Sequence, residues 1–119
     1  MTELELQTLI KNACKAAGWQ IDRMAEHYKH GVIVWIAHSK CLMRPYDEDG
    51  DSRALQVACK IALAFAQTED GKWCAEAYSP LDEKSGGCYS ACEACKDDDK
   101  KAARMAILRC AGMIGEAME

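Results

Sequence analysis

Arg44-Pro45-Tyr46-Asp47-Glu48-Asp49-Gly50-Asp51-Ser52-Arg53-Ala54-Leu55 runs on through Gln56-Val57-Ala58-Cys59-Lys60 into Ile61-Ala62-Leu63-Ala64-Phe65-Ala66. Pro45 restricts the backbone ahead of a run of acids, and Gly50 allows a turn. Asp49 or Asp51 can cap a helix starting near Ser52, where acids also complement the positive end of the helix dipole. Leu55, Ala58, Cys59 and Ala62 give that helix an apolar stripe. From Ile61 the pattern becomes strict large–small alternation, which suits a strand with Ile61, Leu63 and Phe65 on a core face. Helical continuation through 61–66 stays open, but helix followed by hairpin is the better reading. Asp70-Gly71 is a hairpin signal, and Lys72 to Ser79 makes the return strand.

Upstream, residues 2–17 predict a helix. Thr2 and Glu5 fit a capping box, Leu6, Ile10, Ala13 and Ala17 recur at helical spacing, and Gly18 is a stop. Trp19 to Ile21 suits a short strand, whereas Asp22 to His30 is polar and weakly patterned. Gly31 opens Val32-Ile33-Val34-Trp35-Ile36-Ala37, whose length and β-branching favour a buried strand. Ser39 to Arg44 continues the sheet as its neighbour. Downstream, Pro80 to Lys96 is turn-rich, with Ser85-Gly86-Gly87 and three cysteines. Asp97, Asp98 and Asp99 then lead a last helix ending near Glu116, with Ala103, Ile107, Cys110 and Ile114 on one face.

The 119 residues suffice for one domain, read as 1–119 with a flexible insertion at 81–97. Half the residues are apolar and 29% are charged, as in soluble globular proteins. A net charge of −4, with only one local basic group at Lys100, Lys101 and Arg104, argues against a nucleic-acid partner. No apolar run approaches the ~20 residues that span a bilayer, and the N-terminus lacks a secretory layout. The expectation is a cytoplasmic protein with no membrane partner, whose eight cysteines are free thiols. Cys14, Cys59, Cys74 and Cys110 lie in apolar periodic segments, where Cys packs as a small hydrophobe.

The element order α-β-β-α-β-β-α predicts an α+β domain in which each amphipathic element buries its stripe on another. The Pro45-to-helix motif, with its acids, Gly50 and apolar helix, resembles the core of the phage ABA-sandwich domain, a family of small bacteriophage and prophage proteins. The resemblance covers most of 1–79 loosely and the motif most firmly. It implies a three-layer α/β/α sandwich: one small, mostly antiparallel sheet of about four strands with three helices. It implies no activity, and the insertion inherits no family role.

Cys88-x-x-x-Cys92-x-x-Cys95 is the sharpest chemical signal. Its spacing matches the cluster motif of radical S-adenosylmethionine enzymes, but the barrel those enzymes use is far larger than this chain. Zinc is the better metal reading: Cys92 and Cys95 form a normal ligand pair and Cys88 a third. The fourth ligand, Cys74, His27, His30 or His38, has to arrive by folding. Ahead of either metal reading stands the plain one, that 88, 92 and 95, at i, i+4 and i+7, form the apolar face of a short helix and pack as modest hydrophobes. The acids Asp47, Glu48, Asp49 and Asp51 invite a metal-dependent hydrolase or nuclease reading. The calcium-loop pattern fails at Ser52 and Ala58, and capping accounts for the acids. His27-x-x-His30 reads as solvated surface, and Trp19, Trp35 and Trp73 as core or half-buried sheet residues.

With no catalytic set assembled, the sequence predicts an uncharacterised phage or prophage accessory protein, non-enzymatic, acting by contact with a protein partner; a homo-oligomer is compatible. The alternative is a zinc-binding regulatory module built on Cys88, Cys92 and Cys95. A hydrolase or nuclease using the acidic turn ranks below both.

Overall fold

In the computed structural model, residues 2–27, 31–36, 41–43, 49–79 and 89–118 are described. Helix α1 (Glu3–Ala17) begins as its sequence requires. The Thr2 hydroxyl accepts from the Glu5 backbone, the Glu5 carboxylate accepts from the Thr2 N–H, and Gly18 closes the helix in a left-handed conformation at φ 75°. Ile10, Ala13 and Cys14 form its buried face.

Strands β1 (Ile21–His27), β2 (Gly31–Ile36) and β3 (Cys41–Met43) make an antiparallel meander. β2 and β3 fall on the segments read as strands. β1 corrects the sequence reading: the polar stretch 22–27 pairs with β2 along its length, with an irregularity between Ile21 and Arg23. Charged residues disguise it, because an edge strand needs apolar side chains on one face at most. His27 therefore ends a strand, and helical i, i+3 spacing with His30 does not arise at that end.

Helix α2 (Asp49–Cys59) starts earlier than expected, so Asp49 and Asp51 lie inside its first turn rather than at its cap. Lys60, at φ 56°, breaks the helix. The open question at 61–66 resolves as strand: β4 (Ala62–Gln67) and β5 (Trp73–Tyr78) form the Asp70-Gly71 hairpin, with Gly71 at φ 80°. Ile61 is buried and Leu63 packs on the core, but Phe65 is 47% exposed, against expectation. Within 81–97, read as an insertion, residues 90–94 form β6 (Ser90–Ala94), antiparallel to β5. Residues 81–88, including Cys88, lie outside the described residues.

Helix α3 (Asp99–Ala117), capped by the Asp98 carboxylate accepting from the Lys101 N–H, packs on α1, α2, β5 and β6. That position explains why its burial exceeds one stripe: Ala102, Ala106, Ile107, Leu108, Cys110 and Ala111 are all buried. Gly112 and Gly115 let α1 approach closely, since a Cβ on Gly115 would meet the Asn12 carbonyl oxygen at 1.7 Å. The fold is thus α+β with three helices, as expected, but the described strands number six in two three-stranded antiparallel sheets rather than about four in one. None of the described helices is long and apolar enough to cross a membrane.

Candidate functional site

Alternation along β5 sends Ala75 and Ala77 into the core beneath α3 and turns Cys74, Glu76 and Tyr78 to the opposite face. On β6, Cys92 stands directly across from Glu76, while Cys74 faces Ala94 and so lies diagonal to Cys92. The result is a three-residue group. The thiols of Cys74 and Cys92 and the Glu76 carboxylate all lie within 4.8 Å of one another, with Cys74 buried and the other two exposed. A thiol–thiol hydrogen bond with Cys74, helped by burial and by the charges of Glu76 and Glu93, pushes the Cys92 thiol up to about 11. Without a metal that thiol is protonated at neutral pH, and binding an ion means losing the proton.

Of the three motif cysteines, the described residues hold Cys92 and Cys95 and not Cys88. Cys92 belongs to the group. Cys95 does not: three residues on, it falls on the other face, donates its N–H to the Trp73 carbonyl at 3.0 Å, and is 4% exposed within the core. The short-helix alternative also fails, because Cys92 sits in a strand. Cys74, weighed only as a fourth ligand to arrive by folding, is the one that comes. Glu76 was missed. Its signal is Cys74-x-Glu76, the i, i+2 spacing that shares a strand face, and it becomes legible only once 90–94 is known to pair with β5.

The other thiols behave as core. Burial, with Cys59 adding a smaller effect, pushes Cys14 up to about 12, and burial pushes Cys59 up to about 11. The Cys110 thiol donates to the Tyr89 carbonyl at 3.5 Å. Trp19 packs on the core, whereas Trp73 is 53% exposed.

The acidic turn does not assemble a cation site among the described residues. Asp49 pairs with Arg104 of α3 at 2.7 Å, and the cleft there is also lined by Arg53 and Lys100. Asp47 and Glu48 lie outside the described residues. Three cations beside Asp49 repel a divalent metal, which counts against the nuclease reading. No family model, curated protein or solved structure matches this chain.

Proposed function

We propose that this is a metal-binding accessory protein that takes one soft divalent ion, zinc above all, through Cys74, Cys92 and Glu76. One observation carries the reading: two thiols and a carboxylate converge within 4.8 Å across neighbouring strands. In tetrahedral zinc two sulfur ligands stand about 3.8 Å apart, given Zn–S bonds of about 2.3 Å. Closing the group on an ion therefore asks for rotamer adjustment rather than backbone movement. Thiolates select such ions over magnesium or calcium. Three protein ligands leave a fourth position for water or for a group from a partner.

The Pro45 motif supports placing the protein among small phage or prophage proteins of the host cytoplasm. A three-layer α/β/α arrangement belongs to the same reading. There the ion clamps β5 to β6 and shapes a contact surface for a protein partner, which is a non-enzymatic role.

Cobalt titration of the reduced, chelator-stripped protein tests this. Thiolate-to-cobalt charge-transfer absorption should saturate at one equivalent and be displaced by zinc. Cys74→Ser and Cys92→Ser should each abolish it, Glu76→Gln should weaken it, and Cys95→Ala should leave it. No thiolate band, or one that survives Cys74→Ser and vanishes with Cys95→Ala, sinks the proposal.

A further inference from the structure

Sheet edges differ in how they are guarded. β1 carries Asp22 and Arg23, β3 is three residues long, and β6 carries Glu93 paired with Arg109 of α3. Such charges and short lengths are ordinary protection against strand pairing. β4 has neither. Its sequence, Ala-Leu-Ala-Phe-Ala-Gln, holds no charge and no proline, and among the described strands it pairs with β5 alone. Among the described residues no strand pairs with the N–H and C=O groups of its other edge. Beside it Phe65 and Trp73 are 47% and 53% exposed and border a depression of about 290 Å³ that reaches Cys95 and Asp99.

We propose that β4 is the interface to a second copy of this chain, paired antiparallel about a two-fold axis through Ala64. The strand is complementary to itself. With Ala64 opposite Ala64, Leu63 faces Phe65 of the second copy and Ala62 faces its Ala66. One face of the junction is then all alanine and the other joins aliphatic to aromatic side chains, a favourable cross-strand pair. Parity selects this kind of register. A slip by one residue would set Ala64 against Phe65 and turn the second copy's α3 to the opposite side of the sheet. Meeting itself, an uncharged strand brings no like charges together. The pairing would join the two sheets into one of six strands and draw Phe65 of each copy toward the other's depression. An interface this small lies at or below the ~1,200 Å² lower bound for stable complexes, so dissociation near ~10 µM is expected.

The interface lies next to the metal group, since Ala64 and Ala66 stand directly across from Glu76 and Cys74, and chelator throughout the experiment keeps metal binding out of the measurement. Sedimentation of the wild-type chain from ~1 to ~200 µM, a range bracketing that affinity, should show a monomer–dimer equilibrium. The double variant Ala62→Lys/Ala66→Lys sets lysine opposite lysine and should weaken dimerisation at least ~10-fold, because like charges directly opposite destabilise a pair. The double variant Ala62→Lys/Ala66→Glu sets lysine opposite glutamate in the same register and should keep it. A wild-type chain that stays monomeric throughout, or a Lys/Lys variant as dimeric as wild type, overturns the proposal. Should the Lys/Lys variant not fold, amide exchange on the wild-type chain decides. Protection of alternate β4 amides should rise with protein concentration, and concentration-independent exchange there overturns the interface.

Discussion

Gly115→Ala should destabilise the protein by about 2 kcal/mol or more, although alanine is the better helix former. A Cβ at this position would lie 1.7 Å from the Asn12 carbonyl oxygen, 2.5 Å from its carbonyl carbon and 3.0 Å from its Cα. Ordinary carbon–oxygen contact needs about 3.3 Å, so α1 and α3 would have to part by roughly 1.5 Å against backbone that cannot rotate away. A clash with fixed backbone at this distance sits at or above the top of the about 1–3 kcal/mol range for overpacking, which leaves about 2 kcal/mol or more after the ~1 kcal/mol that alanine gains over glycine within a helix. Gly112 supplies the control. There a Cβ meets Leu9 Cδ1 at 2.3 Å, the far end of a side chain that can turn, so strain and helix propensity should nearly cancel. In a chain of this size 1 kcal/mol shifts the melting temperature by about 4 °C. Gly115→Ala should therefore melt roughly 8 °C or more below wild type, and Gly112→Ala within a few degrees of it. Thermal melting of both variants, with urea denaturation for the free energies, is the assay. A Gly115→Ala protein as stable as wild type would refute the close approach of α1 and α3.

Three further outcomes follow from the same contacts. Thr2→Ala removes the hydroxyl arm of the capping box on α1, leaving the Thr2 backbone N–H to the Glu5 carboxylate, and should cost about 1 kcal/mol in urea denaturation. Burial raises Cys14 from about 9 to about 12, so its folded form holds a proton that the unfolded chain releases. Its contribution is intact below pH 8 and lost between pH 9 and 12, which makes wild type lose about 1 kcal/mol more than Cys14→Ala between pH 8 and 10; equal losses would count against a buried neutral thiol. Because Cys92 stays protonated up to about 11, zinc affinity should rise about tenfold per pH unit from pH 6 to 9 on its account, and a flat profile would exclude it as a ligand.

Local rules read well where one element decides its own conformation. Thr2, Glu5 and Gly18 bound α1, and Asp70-Gly71 turns β4 into β5, because caps and tight turns are settled by a few adjacent residues. β6 escaped because Ser-Ala-Cys-Glu-Ala has no β-branched or aromatic residue; only its ladder to β5 makes it a strand. Phe65 reads as core from alternation, yet α3 packs over β5 and β6, so the facing direction alone does not bury it. The thiol–carboxylate group fails to show for the same reason. Spacing in sequence joined Cys92 to Cys95, whereas the sheet separates them and brings in Cys74 and Glu76 from the neighbouring strand.

The placement of α3 also constrains synthesis. A ribosome releases the chain from the N-terminus, so α1, α2 and the β4–β5 hairpin emerge before the helix that all of them touch. Until Gly115 is free to meet Asn12, the apolar face of α1 and the inner alanines of β5 have no cover from α3. The nascent chain would pass through that interval as a string of local elements, with an uncharged β4 edge open to neighbouring polysomal copies. Codons that slow elongation within 99–117 would lengthen this exposure, and chaperone demand should follow the translation speed of the last helix rather than that of the sheets.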